Sequence, residues 1–229
     1  MPAVPLPFNL PAPAPGDLDP RRRLWGTYYY VATVTPMAGG VPLRDMAGNS
    51  LGIRLSPRAW CLAGVEGTLA VRNPDGSRRV LNYAGRGADR QTNCAGFTSL
   101  SATQVRALEK TRWGAARGPY GDGSGGYILS PFRTLAVDRT VIPLGTAIYI
   151  PQARGVRVTL PDGTRPLHDG YFFAADTGGA ITGSHVDFFF GFSTTNPFTF
   201  VTSNAAGLFD AHRVTNPATI ATLRNLHRI

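Results

Sequence analysis

The segment from Asp176 to Asp187, Asp-Thr-Gly-Gly-Ala-Ile-Thr-Gly-Ser-His-Val-Asp, carries two carboxylates eleven positions apart with a glycine-rich loop between them. Asp176 ends the apolar run Tyr171-Phe-Phe-Ala-Ala175, and Asp187 sits inside a second, Val186-Asp-Phe-Phe-Phe190. Two strands joined by such a loop bring their acids close. Paired carboxylates in unlike surroundings supply one proton donor and one anion near neutral pH, which is what general acid chemistry requires. A third acid, Asp138, closes Thr134-Leu-Ala-Val137 and precedes Val141-Ile-Pro-Leu-Gly-Thr-Ala-Ile-Tyr-Ile-Pro151. The competing reading of each is structural, because aspartate beside glycine caps turns.

Side chains alternate between the two faces of a strand. Val186, Phe188 and Phe190 therefore share one face, the better core surface, and Asp187 shares the other with Phe189. On the preceding strand, Tyr171, Phe173 and Ala175 oppose Phe172, Ala174 and Asp176. An acid beside an aromatic surface and a second acid has its pKa raised, through lost hydration and like charge. A carboxyl kept protonated is what cleavage of a glycosidic bond needs. His185 adjoins the acids and reads as a solvated loop histidine.

The elements that must position these residues are short. Gly26 to Thr35 is aromatic and β-branched and reads as a strand, and 39–49 reads as a loop. Ser56 followed by Pro57 opens a helix that ends at Gly64 or Gly67. The runs 68–72 and 78–83 read as a hairpin about Asn73-Pro-Asp-Gly76. Ser101-Ala-Thr-Gln104 forms a capping box for a helix to about Thr111. The glycine-rich 118–126 lacks the Lys-Ser/Thr ending of a phosphate loop. Strands then follow at 133–138, 146–150, 156–160, 170–175 and 186–190, with a last helix from Asn216-Pro217 to about His227. Many short strands with glycine and proline turns make an all-β core, a sandwich or a barrel.

Several of these pieces carry a family resemblance. Ala136-Val-Asp138, Val141-Ile-Pro-Leu-Gly-Thr146, Ala175-Asp-Thr-Gly-Gly-Ala-Ile-Thr-Gly183 and Val186-Asp-Phe188 resemble the three-aspartate (3D) domain shared with MltA-type lytic transglycosylases. Ala32-Thr-Val-Thr-Pro36 is similar to the family's Ala-Thr-x-Tyr-x-Pro opening strand. The resemblance implies a six-stranded double-psi β-barrel over residues 25–229, preceded by a proline-rich arm at 1–24. Between the matched motifs, 37–130 reads as a mixed α/β insertion that the core motifs do not explain, and the last helix is expected to pack over the barrel. The insertion either supplies the far wall of a groove or leaves it shallow.

By the same resemblance, Asp187 is general acid and then base, and Asp176 the anion that stabilises an oxocarbenium-like sugar. Asp138 is the third member of the set, as an organiser of the loop or a positioning group. Thr33, Thr177, Gly178 and Gly179 are candidate substrate contacts. The implied reaction cuts the peptidoglycan glycan strand to a 1,6-anhydro product with no metal and no cofactor. A non-catalytic glycan-binding barrel of the expansin kind, or a glycan hydrolase, are the alternatives. Both would use aromatic surfaces, with Trp25, Tyr28, Trp113 and Tyr120 as candidates. Two other likenesses fail. The single Asp176-Thr-Gly lacks the second copy and following Ser/Thr of aspartic proteases, and Asn93-Cys-Ala-Gly-Phe97 lacks the aspartate and serine of cell-wall cysteine peptidases.

Composition bounds the rest. The 229 residues are 43% hydrophobic, with a formal charge of +9 carried by Lys110 and arginines. Such a chain builds a proper core, and it favours anionic partners. The arginines are scattered, and no nucleic-acid-binding motif accompanies them, so specific nucleic-acid binding is not expected. No run of about 18 apolar residues predicts a transmembrane segment. No signal peptide is visible, so a cell-wall substrate implies a mature-form sequence that is secreted or periplasmic. Residues 2–15 hold six of the 19 prolines, a polyproline composition that reads as a spacer or a surface-packed arm. Cys61 and Cys94 fit a disulfide in a secreted protein, or two buried thiols. The four histidines and two cysteines make no metal spacing. The oligomeric state is open.

Overall fold

The computed structural model describes residues 8–72 and 77–229. They divide into two compact units, one from the residues up to Tyr30 together with Gly118–Ile229 and the other from those between Val31 and Arg117. The expected hairpin turn at 73–76 and the first seven residues of the arm lie outside the described residues. Among the described residues, no helix is long and apolar enough to cross a membrane.

The first unit is a closed six-stranded barrel. Its strands are β1 (Arg22–Tyr29), β8 (Thr134–Val137), β9 (Ala147–Tyr149), β10 (Tyr171–Asp176), β11 (His185–Phe189) and β12 (Phe209–Arg213), in the order β1-β11-β8-β10-β9-β12. The pairs β1–β11 and β8–β10 run parallel and the others antiparallel. Closure leaves no open edge. The interior is filled by the inward members of each strand, among them Leu24, Leu135, Val137, Phe172, Val186 and Phe188. Phe172 and Phe188 meet edge to face at 5.2 Å. Gly26 also points inward, where a Cβ would stand 2.7 Å from the Phe188 ring. Glycine there leaves the space that the ring fills.

Helix α3 (Pro217–Asn225) is capped by the Asn216 side chain, which accepts from Ala218 N and Thr219 N. It covers the outer faces of β9 and β10, where Tyr149, Tyr171, Phe173 and Leu223 cluster. His227, just past its end, is buried and bonds Thr134 of β8 at 3.0 Å.

The boundary expected at residue 24 falls inside β1, because Arg22–Leu24 already pair with β12. Upstream, Phe8 lies over the Arg133 guanidinium, Leu10 N donates to Asp169, and the Tyr171 hydroxyl donates to Pro11 O. The described part of the arm is therefore packed on the barrel. No strand forms at 156–160. Val158 N bonds Pro166 O and Leu160 N bonds Thr164 O around the Pro161 turn, giving an irregular excursion between β9 and β10. The sixth strand is β12 instead, which the sequence reading did not identify although Phe209 and Ala211 alternate with Asp210 and His212.

The second unit has a four-stranded sheet of β2 (Ala32–Val34), β5 (Thr68–Arg72), β6 (Arg78–Arg86) and β7 (Thr111–Ala115), in the order β2-β5-β6-β7. A hairpin of β3 (Val41–Arg44) and β4 (Ser50–Leu55) occupies the region expected as loop. Helix α1 (Pro57–Glu66) starts at the Ser56 cap and stops at Gly67, whose φ of 72° is left-handed. Helix α2 (Ala102–Leu108) has the full capping box and ends before Thr111, which opens β7. The core includes Trp60 and Trp113, edge to face at 6.5 Å, and the Cys61–Cys94 disulfide.

That disulfide closes a 33-residue separation, which on the chain-entropy model stabilises by about 3–4 kcal/mol. The Cys61→Ser, Cys94→Ser double variant is expected to lose about that much in chemical denaturation followed through the second unit's tryptophan fluorescence. An unchanged midpoint would show that packing alone holds this unit.

Candidate active site on the barrel's outer face

The site is built from neighbouring strands of the barrel, beginning at β11. Alternation there holds: Val186 and Phe188 enter the core, and Asp187 turns outward. On the parallel partner β1, Leu24, Gly26 and Tyr28 face in, so Trp25, Thr27 and Tyr29 face out. Register places Trp25 beside His185, Thr27 beside Asp187 and Tyr29 beside Phe189. On the other side of β11, Asp187 pairs with Ala136 of β8. Ala136 in turn pairs with Asp176 of β10. Thr27, Asp187, Ala136 and Asp176 thus form one row across four strands.

Asp176 reaches this row because alternation fails. The β8–β10 register shifts between Ala174 and Asp176. A bulge re-aims the residue that follows it. Strict alternation from Phe172 and Ala174, which face the core, would carry Asp176 inward; the bulge turns it outward. Asp187 and Asp176 are two strand spacings apart at Cα, roughly 10 Å at ~4.8 Å per strand. Ala136 is the residue between them in the row.

The two carboxylates have unlike surroundings. Asp187 Oδ1 takes a 2.6 Å hydrogen bond from the Thr27 hydroxyl. Burial pushes Asp187 up to about 6, the Thr27 bond works against the rise, and the nearby Asp176 charge adds to it. Asp176 receives three donors: the Tyr29 hydroxyl at 2.8 Å, the Ser124 hydroxyl at 3.1 Å and Thr177 N at 2.8 Å. Burial also raises Asp176, and those donors oppose it. The net direction for Asp176 is upward, burial outweighing the donors; with three hydrogen bonds to an anion against one for Asp187, it is the better-solvated carboxylate of the two.

Asp138 lies at the end of β8 and plays a different part. Its Oδ1 accepts from Thr140 N and the Thr140 hydroxyl, and its Oδ2 accepts from Gly183 N at 2.8 Å. The Thr140 hydroxyl, then the Gly183 and Thr140 amides, hold its pKa below the usual value. Both oxygens are committed, and the Gly183 bond pins the loop between Asp176 and Asp187.

Thr177 joins Asp176 through its amide and Ser124 through its hydroxyl at 2.8 Å. Gly178 and Gly179 are exposed in the loop. Thr33 lies on β2. It pairs with Ala70 in the sheet of the second unit, and the threonine beside Asp187 is Thr27. The likeness at 32–36 falls on β2 of that sheet, while the first strand of the barrel is β1.

Trp113 is wholly buried in the core of the second unit. Tyr120 is buried against Phe192, and Tyr28 stacks on Phe190 toward the core. Trp25 alone of the four aromatic candidates adjoins the acids, stacked on His185 at 3.7 Å. His185 itself is only 8% exposed and opens β11, so it is not a solvated loop residue.

Ser124 and Tyr29 were not legible as site residues. Ser124 comes from the 118–126 glycine loop, which reaches β10 because Gly123 has no side chain: a Cβ there would stand 2.3 Å from Ala175 O. Ser124 N bonds that same carbonyl at 2.8 Å. Gly123→Ala is therefore expected to lift Ser124 off Asp176 and destabilise the barrel unit by about 1–3 kcal/mol. Thermal melting of this variant beside Ser124→Ala checks it; equal melting of Gly123→Ala and the native protein would refute the close approach.

Residues 133–197 match the 3D domain family. No curated protein matches the chain. Among solved structures, Escherichia coli MltA with bound chitohexaose is 17% identical, with 85% of this chain and 72% of that chain covered and a TM-score of 0.52. A membrane-bound lytic murein transglycosylase from Agrobacterium tumefaciens is 16% identical, with coverage of 88% and 76% and a TM-score of 0.50. MltA from Neisseria gonorrhoeae is 13% identical, with coverage of 86% and 74% and a TM-score of 0.50. The β1–β11–β8–β10 row thus lies in a chain that carries a 3D domain at residues 133–197 and has the MltA-like barrel fold.

Proposed function

We propose that this protein cleaves the glycan strand of peptidoglycan as a lytic transglycosylase, with Asp187 as the acid. The observation that carries the reading is a half-buried carboxyl whose proton is held to about pH 6, one strand removed from a second carboxylate with three donors. Asp187 gives its proton to the glycosidic oxygen as the C1–O bond breaks. The positive charge that develops on the sugar faces the Asp176 carboxylate. Asp187, now an anion, takes the proton of the sugar's own C6 hydroxyl, whose oxygen bonds C1 and closes the 1,6-anhydro ring. The proton count returns to its start, and no water enters the product.

Thr27 orients Asp187, Tyr29 and Ser124 orient Asp176, and Asp138 holds the intervening loop. Thr177 tightens the Asp176 end, and Gly178 and Gly179 leave the loop low enough for a polymer to approach. The likeness to an MltA that binds chitohexaose supports a saccharide chain as ligand. A substrate of this kind places the protein in the periplasm or outside the cell.

The test is digestion of purified sacculi with product analysis by mass spectrometry. Anhydro-muropeptides are the expected products. Products heavier by one water would move the assignment to a hydrolase. Retention on sacculi without release would leave a glycan-binding barrel and retire the enzyme reading.

A further inference from the structure

His185 is a buried titratable group that the mechanism above does not use. Its Nε2 lies 2.9 Å from the Thr27 hydroxyl, and the same hydroxyl lies 2.6 Å from Asp187 Oδ1. The ring is fixed on one face by Trp25, parallel within 5°. Strand register makes this arrangement rigid: Trp25 and Thr27 on β1 stand beside His185 and Asp187 on β11. We propose that His185, Thr27 and Asp187 act as one proton-sharing unit, in which the imidazole decides which way the Thr27 hydrogen points and so sets whether Asp187 carries its proton. The purpose of the unit in catalysis rests on the lytic reading; its existence does not.

The argument is a count of hydrogens. Thr27 has one hydroxyl hydrogen and two partners competing for it. A hydrogen bond between His185 and the Ala180 backbone favours the charged ring, so the backbone group is the carbonyl, an acceptor. With Nε2 facing Thr27, Nδ1 carries the hydrogen that this carbonyl holds. A neutral His185 then presents a bare Nε2 lone pair to Thr27. The hydroxyl hydrogen turns to Nε2, and Asp187 Oδ1 meets an oxygen lone pair, a contact that favours the protonated acid. When Asp187 gives its proton to the leaving oxygen, rotation about one C–O bond turns the Thr27 hydrogen to the new carboxylate. The same hydroxyl therefore suits both states of the acid in turn, and no covalent bond of Thr27 changes. An imidazolium would instead direct Nε2–H at Thr27, lock the hydroxyl onto Asp187 and hold it as the anion.

The groups around the unit are few. Asp176 on β10 is the charge that acts on Asp187. Burial disfavours the charged form of His185 against the pull of the Ala180 backbone, and so favours the neutral ring. From the end of β8, Asp138 reaches the loop before His185 through Gly183 N. Trp25 and Ala136 are the uncharged neighbours supplied by β1 and β8.

The test needs no substrate. The Asp187 carboxyl carbon is titrated by NMR in the native protein, His185→Phe, Thr27→Val and the double variant, with Asp187→Asn to assign the resonance. His185→Phe keeps a ring to stack on Trp25 and frees Thr27 to donate to Asp187 permanently. Its Asp187 midpoint is expected to fall by about one unit. Thr27→Val is expected to raise the midpoint, and adding His185→Phe to Thr27→Val to change it no further.

An unchanged midpoint in His185→Phe would overturn the proposal. So would an equal fall in the Thr27→Val background, which would mean that the ring acts directly and not through the hydroxyl. If His185→Phe does not fold, the histidine nitrogen shifts of the native protein decide: a bare Nε2 near neutral pH is expected, and a hydrogen on Nε2 of the neutral ring overturns the unit. Lost coupling with anhydro products still formed would retire only this proposal. Intact coupling without products would retire only the lytic reading.

Discussion

Asp187→Asn is expected to lower the release of anhydro-muropeptides from sacculi by about 10²–10⁴-fold, the usual contribution of a positioned general acid. The amide is isosteric with the carboxyl, but it has no proton to give to a glycosidic oxygen. The native enzyme's kcat/KM is expected to fall as pH rises through about 6, the value to which burial pushes Asp187. Removal of Asp176 should not shift that limb upward, since its charge is one of the causes of the raised value.

The same substitution separates chemistry from folding. A carboxyl whose folded pKa is raised contributes stability below its unfolded value. That contribution is lost as pH rises through the folded value. Above about pH 6 the native protein therefore carries an ionised, half-buried carboxylate that Asp187→Asn lacks. The variant should melt higher than the native protein well above that pH, and show no such gain well below it. Loss of activity together with a higher melting temperature is the signature of an active-site acid. A variant that melts lower at every pH, or that keeps its activity, would remove Asp187 from the acid's role.

Asp169→Asn is expected to destabilise the barrel by about 3–5 kcal/mol, the cost of leaving one member of a buried ion pair alone. Arg133 is wholly buried and Asp169 is 4% exposed. The guanidinium bonds both carboxylate oxygens, Oδ2 at 2.7 Å, and also Tyr171 O at 2.7 Å. Phe8 lies 4.1 Å above the guanidinium, and Leu10 N bonds Asp169. Burial works to raise the Asp169 pKa, and the Arg133 bonds and charge override it and hold it low.

A depressed carboxyl pKa gives stability that is present above the unfolded value, near 4, and lost as pH falls through the folded one. The native protein should lose stability on acidification below about pH 4, and Asp169→Asn should lack that part of the slope. At neutral pH a drop of roughly 10 °C in melting temperature is the scale expected for a chain of this size. Equal melting would show that the pair contributes orientation rather than stability. The pair has a further consequence. Arg133 immediately precedes β8 and Asp169 stands just before β10, the two parallel strands whose shifted register brings Asp176 beside Ala136. Its loss should therefore also loosen the second acid.

The acids and the barrel core were legible because each depends on short-range pattern. Val186, Phe188 and Phe190 face inward as strand alternation requires, and Asp187 faces out for the same reason. The caps at Ser56, Ser101 and Asn216 are local hydrogen bonds between neighbours in sequence, so they too could be read directly. Reading failed where one position outweighed the pattern. The bulge before Asp176 sets a face that alternation did not assign, and Thr27, the threonine that meets Asp187, was not singled out.

The sequence by itself determined that this chain has a β core, that three aspartates lie in one ordered set, and that a glycine loop joins two of them. Composition, alternation and turn chemistry act over a few residues and leave their marks in the order of the chain. Only the tertiary structure decided which side chains meet the acids. Thr27 is 160 positions from Asp187, Tyr29 147 from Asp176, and Ser124 52 from Asp176. These contacts come from barrel closure, strand register and one bulge, and from Gly123, where a missing side chain lets two backbones touch. None has a local signature, because each depends on where distant strands are laid side by side.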